Sequence, residues 1–393
     1  MALSCGRMLD ISNHSCADLV AKSSRQITNQ VAQAVLIATD LAVQRECKSM
    51  IAEPKLHHQL LLLGLGEARR LADAAPTKAA ASRVRNRIES AHDLLSDLPS
   101  PQDLAFQHAG LCQTCLPHRR PKYNHTVWKR QSGRFTLFVR PGIVTDRVSA
   151  NRANSAISDG ASAVDADYVG VPYGPKARLI MIFLQTEGVR SRTVPLGKNL
   201  SAFLRSLGVP NTGGPRGAIA QVKEQFTRIA GSIFTLTWDG GGETVDFTNA
   251  QIVERGRLWR MSSTDWSATV ELSEGFHNYL CQHAVALDKR AVSHLQNNSL
   301  GLDLYALFAY RLPRLQRELR LSWEALQGQI GSEYTQMRDL ARHVRSVMPD
   351  VKIAYPHANV EVGKGGLLLR PSKPSVPKTQ VGGFRLLTGS SSE

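Results

Sequence analysis

The chain has 393 residues and 42% hydrophobic content, which excludes a largely disordered polymer and leaves room for two or three domains. No run approaches the roughly 18 apolar residues of a membrane span. Lysine and arginine number 48 against 33 aspartate and glutamate, a formal charge of +15 that favours a polyanionic partner, nucleic acid first, over a merely basic enzyme.

The opening MALSCGRMLDISNH lacks the apolar centre of a signal peptide, so a cytoplasmic protein is expected. Residues 17–53 place Val20, Ile27, Val31, Val35 and Leu41 near the spacing of an amphipathic helix, interrupted by Pro54. LHHQLLLLGLGEARRLADAA and SRVRNRIESAHDLLSDL read as two further helices, the second ended by Pro99. Residues 1–115 are therefore expected to form a helical amino-terminal region.

Six cysteines are scattered, with no disulfide framework. Cys112, Cys115, His118 and His125 put four zinc-type ligands in a row, but at the spacing of no recognised zinc module. The expectation is no metal and no cofactor. Residues 116–140 then hold seven lysines or arginines and no acidic residue, with Tyr123, Trp128 and Phe135 interleaved. Such a segment suits backbone tracking along a nucleic acid, or a solvated basic linker leading into the strand-like FTLFV. The Ser, Ala and Asp-rich stretch 150–167 reads as a loop, and 116–170 as basic segment and linker.

From Pro172 the order becomes regular. The Gly-Pro-Lys turn of YGPKARLIMIFLQT suggests a phosphate cradle, but one glycine and a donor-less Pro175 make it instead the start of a buried helix. Lys176 and Arg178 would sit at its exposed beginning, beside a backbone phosphate. VPLG is a short strand, KNLSAFLRSLG a short helix, PRGAIAQVKEQFTRIAG a longer one opened by Pro215, and SIFTLTW with TVDFTNAQIVE a hairpin. That is the order of a winged helix-turn-helix domain, placed at 171–260.

The order returns at 261–372: helical LSEGFHNYLCQHAVALD and RAVSHLQNNSLGLDLYALFAYRL, the short helix SWEALQGQIG with Ser322 as N-cap, SEYTQMRDLARHVRSVM ending before Pro349, and a hairpin with GKGG at its tip. After Pro371 the tail, 373–393, reads as disordered. The fold expected is α+β, mostly α, with two tandem winged-helix domains behind a helical region.

In the second recognition helix Met337, Leu340, Ala341, Val344 and Met348 share one face, and Arg338, Arg342 and Arg345 form a stripe elsewhere. The stripe either enters a major groove, where a guanidinium pairs with guanine or clamps phosphate, or is a solvated face. Lys364 at the hairpin tip would lie on the DNA backbone. In the first helix Ile219, Val222, Phe226 and Ile229 face inward, while Gln221, Glu224, Gln225 and Arg228 look outward with Arg216 and Lys223 on the flank. Glutamine can read adenine edges, and Arg216, Lys223 and Arg228 can hold phosphates; Glu224 is a cytosine acceptor or a plain surface charge.

GxxxxGK[ST], HExxH, GxSxG and His-x-His are absent, and the acidic residues form no two-metal cluster, so an enzyme is not expected. From Cys112 to Pro374 the chain resembles the plasmid-encoded RepA replication initiators of Gram-negative bacteria. The matching stretches are LCQTCLPHRRP, WKRQSG, VPYGPKARLIMIFLQTEGV, LGKNLSAFLRSLGV, GGPRGAIAQVKEQFTRI, WSATVELSEGFHNYLCQHAVALD, SLGLDLYALFAYRL, LSWEALQGQIG and GLLLRPSKP. The resemblance implies a non-enzymatic initiator that binds repeated duplex sites at a plasmid origin, opens an adjacent AT-rich segment and brings in host helicase and DnaA, as a possible homodimer. It also implies that the CxxC is incidental. A transcriptional repressor and an origin-nicking nuclease are the alternatives.

Overall fold

The computed structural model describes residues 55–143, 168–240, 245–255, 269–331 and 334–382. The helix expected in 17–53, the loop 150–167 and tail residues 383–393 lie outside the described residues. The chain divides into two compact units, Met1–Ile88 and Glu89–Glu393.

The first unit holds α1 (Lys55–Asp73) and most of α2 (Lys78–Ser96). Leu60, Ala68, Leu71, Ala72, Val84 and Ile88 are buried at helical spacing, as the sequence pattern requires. Gly64 adopts φ 75°, a left-handed break that a β-carbon would strain. An Arg85–Asp73 ion pair ties the two helices together.

The second unit opens with β1 (Leu104–His108), α3 (Ala109–Gln113), and the basic hairpin β2 (Trp128–Ser132) and β3 (Phe135–Arg140). There follow α4 (Gly174–Gly188), β4 (Thr193–Pro195), α5 (Leu200–Ser206), α6 (Ala218–Gly231), β5 (Ile233–Asp239), β6 (Val245–Gln251), β7 (Val253–Arg255) and β8 (Thr269–Leu272). The rest comprises α7 (Glu274–His283), β9 (Ala284–Asp288), α8 (Lys289–His294), α9 (Ser299–Arg311), β10 (Leu319–Ser322), α10 (Trp323–Leu326), α11 (Met337–Ala354), β11 (Val360–Val362) and β12 (Gly366–Leu369). This is an α+β architecture of helices around several small antiparallel sheets. One continuous apolar core runs from Ala105 to Leu369 and takes in α4, α6, α9 and α11.

Four differences from the sequence reading have physical causes. AVALD does not prolong the preceding helix; it is β9, paired antiparallel with β1 from the region expected to be helical. Val285 and Leu287 alternate into the core, the period of a strand. TVDFTNAQIVE divides at Ile252, so β6 joins the sheet β2-β3-β5-β6 while β7 joins β4-β8-β7. The helix α11 continues through Pro349 for more than a turn, because Val351, Ile353 and Ala354 all reach the core; that burial offsets an interior proline's cost of roughly 3 kcal/mol. In the tail, Val376 is buried against Leu104 and Phe106, and Ser375 bonds Tyr305.

In the second half the sheet order is β10-β12-β11, the first strand lying beside the third. Gly366 makes this possible: at φ 145°, its missing β-carbon would fall 2.1 Å from the Leu321 carbonyl oxygen. Gly366→Ala is therefore expected to cost about 1–3 kcal/mol in strain alone. A urea unfolding midpoint equal to that of the unchanged chain would show that the hairpin tolerates the extra carbon.

Candidate nucleic-acid interface

The apolar side of α11 is buried as its periodicity requires: Leu340, Ala341, Val344, Val347 and Met348 face the core and Met337 is half-buried. Arg338, Arg342 and Arg345 are exposed. Arg342 donates to Asp339 Oδ1 at 2.6 Å, with its side chain 80% exposed. Such an open pair contributes about 0–1 kcal/mol and is readily exchanged for a phosphate.

Arg345 is held differently. Its Nη2 donates to the Gly363 carbonyl at 3.2 Å, and its guanidinium lies over the Trp323 ring at 5.6 Å. The Trp323 indole donates to the Lys364 carbonyl at 2.8 Å, and Gly363 N–H donates to Gly366 O at 2.8 Å to close the turn. The hairpin tip is thus tied to α10 and α11 through its backbone, with the Lys364 side chain exposed. Trp323 belongs to the site by this role, which its helical apolar spacing alone does not reveal.

In α6 the outward face is smaller than expected. Val222, Phe226 and Ile229 are buried and Ile219 packs against them half-buried. Arg216 and Gln221 are exposed, and Lys223 and Glu224 are half-exposed; Gln221 spends its amide on the Arg216 carbonyl at 3.0 Å. Gln225 and Arg228 are buried, which corrects their assignment to the outer face. Gln225 Oε1 accepts from Tyr173 N–H at 2.8 Å. Arg228 pairs with Glu224 at 3.1 Å, donates to the Val171 carbonyl and lies beneath the Tyr173 ring. Burial lowers its pKa, the Glu224 charge opposes that, and the like charge of Arg120 adds to it. Arg228 is a structural cation, not a phosphate ligand.

Arg178 requires the same correction. Its side chain is only 5% exposed, and every guanidinium N–H has an internal acceptor. Nε and Nη2 grip the two Asp303 oxygens at 2.7 Å each, Nη1 donates to Pro117 O and Gly174 O, and Nη2 also to Leu116 O. Burial raises the Asp303 carboxyl pKa, while the charge and hydrogen bonds of Arg178 oppose the rise. Lys176, half-buried, reaches Asn297 Oδ1 at 3.4 Å, and burial lowers its pKa.

The CxxC cysteines are both buried, with burial pushing Cys115 up to about 12. Cys115, His118 and Asp303 offer ligand atoms within 4.8 Å of one another, but Arg178 holds both Asp303 oxygens. His118 is likewise engaged, through Nε2 to Ile330 O at 2.6 Å and Nδ1 to Ser299 Oγ at 3.0 Å. His125 stacks on Tyr123 instead of joining the cysteines.

The surviving solvent-facing set is Arg338, Arg342, Arg345 and Lys364 in the second half, and Arg216, Gln221, Lys223 and Lys176 in the first. Among the described residues no helix is long and apolar enough to cross a membrane. No curated protein matches the chain in sequence. A solved structure described as domain2 and domain 3 of RctB is 13% identical over 68% of this chain and 96% of that one, with a TM-score of 0.39. A likeness that slight carries no argument. The family described as "Plasmid encoded RepA protein" matches residues 171–325, a span that includes α4, α6 and the Arg178–Asp303 pair. Over residues 171–325 the chain is accordingly similar to the plasmid-encoded RepA proteins.

Proposed function

We propose that this protein is a plasmid replication initiator that binds repeated duplex sites at an origin through two winged-helix modules. The carrying observation is the exposed arginine face of α11 joined to a hairpin tip by Trp323 and Arg345. A helix with cations on its outer face can enter a major groove while the tip lies against the backbone. The strand order β10-β12-β11 supports the winged-helix reading of the second module. The first module repeats the element order, but its strand β4 pairs with β8 and not with the β5–β6 hairpin.

On this reading the protein is a cytoplasmic, non-enzymatic DNA binder without metal or cofactor. Opening of the origin draws on binding free energy from several cooperating protomers, possible as homodimers, and flexible TA-rich steps lower the cost of deformation. Host helicase and DnaA are the partners it would bring to the opened strand.

Affinity for duplex DNA is expected to fall steeply with salt, by about 10³-fold or more between roughly 50 and 200 mM if six or more phosphates are contacted. A nearly flat response in a fluorescence-anisotropy titration would sink the electrostatic reading. The coding region with its flanking DNA, placed in a vector lacking an origin, should sustain replication. Failure in every proteobacterial host would favour a repressor, and nicked circles from supercoiled DNA plus divalent metal would favour a nuclease.

A further inference from the structure

Residues Leu116–His118 are fastened to both modules, to the first through their backbone and to the second through the His118 side chain. Pro117 O accepts from Gly174 N–H at 2.9 Å, and Arg178 of α4 holds the carbonyls of Leu116 and Pro117. His118 is bonded to Ser299, at the start of α9, and to Ile330, in the turn that precedes α11. Tyr334 continues this line, with its ring 6.5 Å from His118 and its hydroxyl bonded to His343 on the outer face of α11.

Directly after these anchors come Arg119, Arg120 and Lys122, all exposed. Burial lowers the His343 pKa and the charge of Arg119 adds to the fall, so Arg119 lies within electrostatic reach of α11. At Arg228 of α6 the charge of Arg120 adds to the fall that burial causes, and at Tyr173 it opposes the rise that burial causes. The chain from 104 to 145 contains no acidic residue. A positive strap thus follows directly on a segment anchored both to α4 and to the start of α9.

We propose that Arg119, Arg120 and Lys122 form a phosphate clamp that grips the duplex backbone between the segments met by α6 and α11. The clamp rests on the DNA-binding reading and adds a third contact that holds the two helices at a set spacing along the duplex. The strap is neither a helix nor a ribbon that could enter a groove, so its cations meet phosphates and not base edges. Duplex is favoured over single strand because the Tyr123 ring is stacked on His125 with Lys122 over it, which leaves it poorly placed to stack on a base.

The test compares the full chain with R119Q/R120Q/K122Q on duplex taken from the DNA flanking the coding region, across a salt series, with R338A/R342A in parallel. Each phosphate contact contributes about 0.9 to the slope of log affinity against log salt, so the triple variant should lose between about 2 and 3 units. The charge-retaining R119K/R120K/K122R should keep the original slope. An unchanged slope in the Gln triple, beside weakened binding by R338A/R342A, overturns the clamp and leaves the DNA-binding reading intact. No binding of duplex by the unchanged chain overturns both. Tighter binding of a single strand, lost in the Gln triple, overturns the duplex assignment. If the triple variant does not fold, R120Q and K122Q singly should each lose about 0.9 of slope, and unchanged slopes overturn the clamp.

Discussion

Arg178→Ala is expected to lower the stability of the second unit by about 3–5 kcal/mol, the range for breaking one side of a buried ion pair. The substitution leaves Asp303 charged in the core and takes donors from the carbonyls of Leu116, Pro117 and Gly174. The pair itself need not be worth that much. Desolvating two ions offsets most of their attraction, so the double variant R178M/D303L should recover much of the loss. Urea unfolding of the three variants at neutral pH checks this. Arg178→Ala with an unchanged midpoint would mean that water reaches Asp303 and that the pair does not lock α4 to α9. A double variant no more stable than the single would place the loss in the three carbonyls.

This pair also shows where sequence reading fails and what signal it leaves. The helices α4, α6, α9 and α11 and their hairpins were legible, because apolar spacing and glycine turns act over a few residues. The partner of Arg178 lies 125 residues away, and nothing local points to it. Yet α4 is apolar on nearly all faces, so its one mid-helix arginine has no solvent side to occupy. Asp303 stands in the same position in α9, which is buried almost throughout. Opposite charges at matching positions of two largely apolar helices are a readable hint of a buried pair. Arg228 carried a closer hint in Glu224, one turn earlier. The β1–β9 pairing had none, since its strands are five residues each and lie far apart in the chain. The outer face of α11 was legible as a stripe, but the division of labour within it was not. That depends on Trp323 and on the hairpin carbonyls.

That division predicts different losses for the three arginines of α11. Arg338→Ala and Arg342→Ala should each weaken binding to origin DNA by about 1–3 kcal/mol if they read bases, with far smaller effects on random duplex. If they hold phosphates, both DNAs should weaken alike and the salt slope should fall by about 1. Arg342 gives up only an exposed pair with Asp339, so that pair adds little to its cost of binding. Arg345→Ala removes a cation and also releases the Gly363 carbonyl and the face of Trp323. Its loss should therefore be coupled to that of Lys364, whose position depends on the same tip. In a double-mutant cycle, R345A and K364A should deviate from additivity by at least about 0.5 kcal/mol. R338A and K364A, with no partner in common among the described bonds, should add within about 0.5 kcal/mol. Equal additivity in both cycles would make Arg345 an ordinary surface arginine. Unchanged origin binding in all three single variants would remove α11 as the reading helix and leave the basic strap as the stronger candidate.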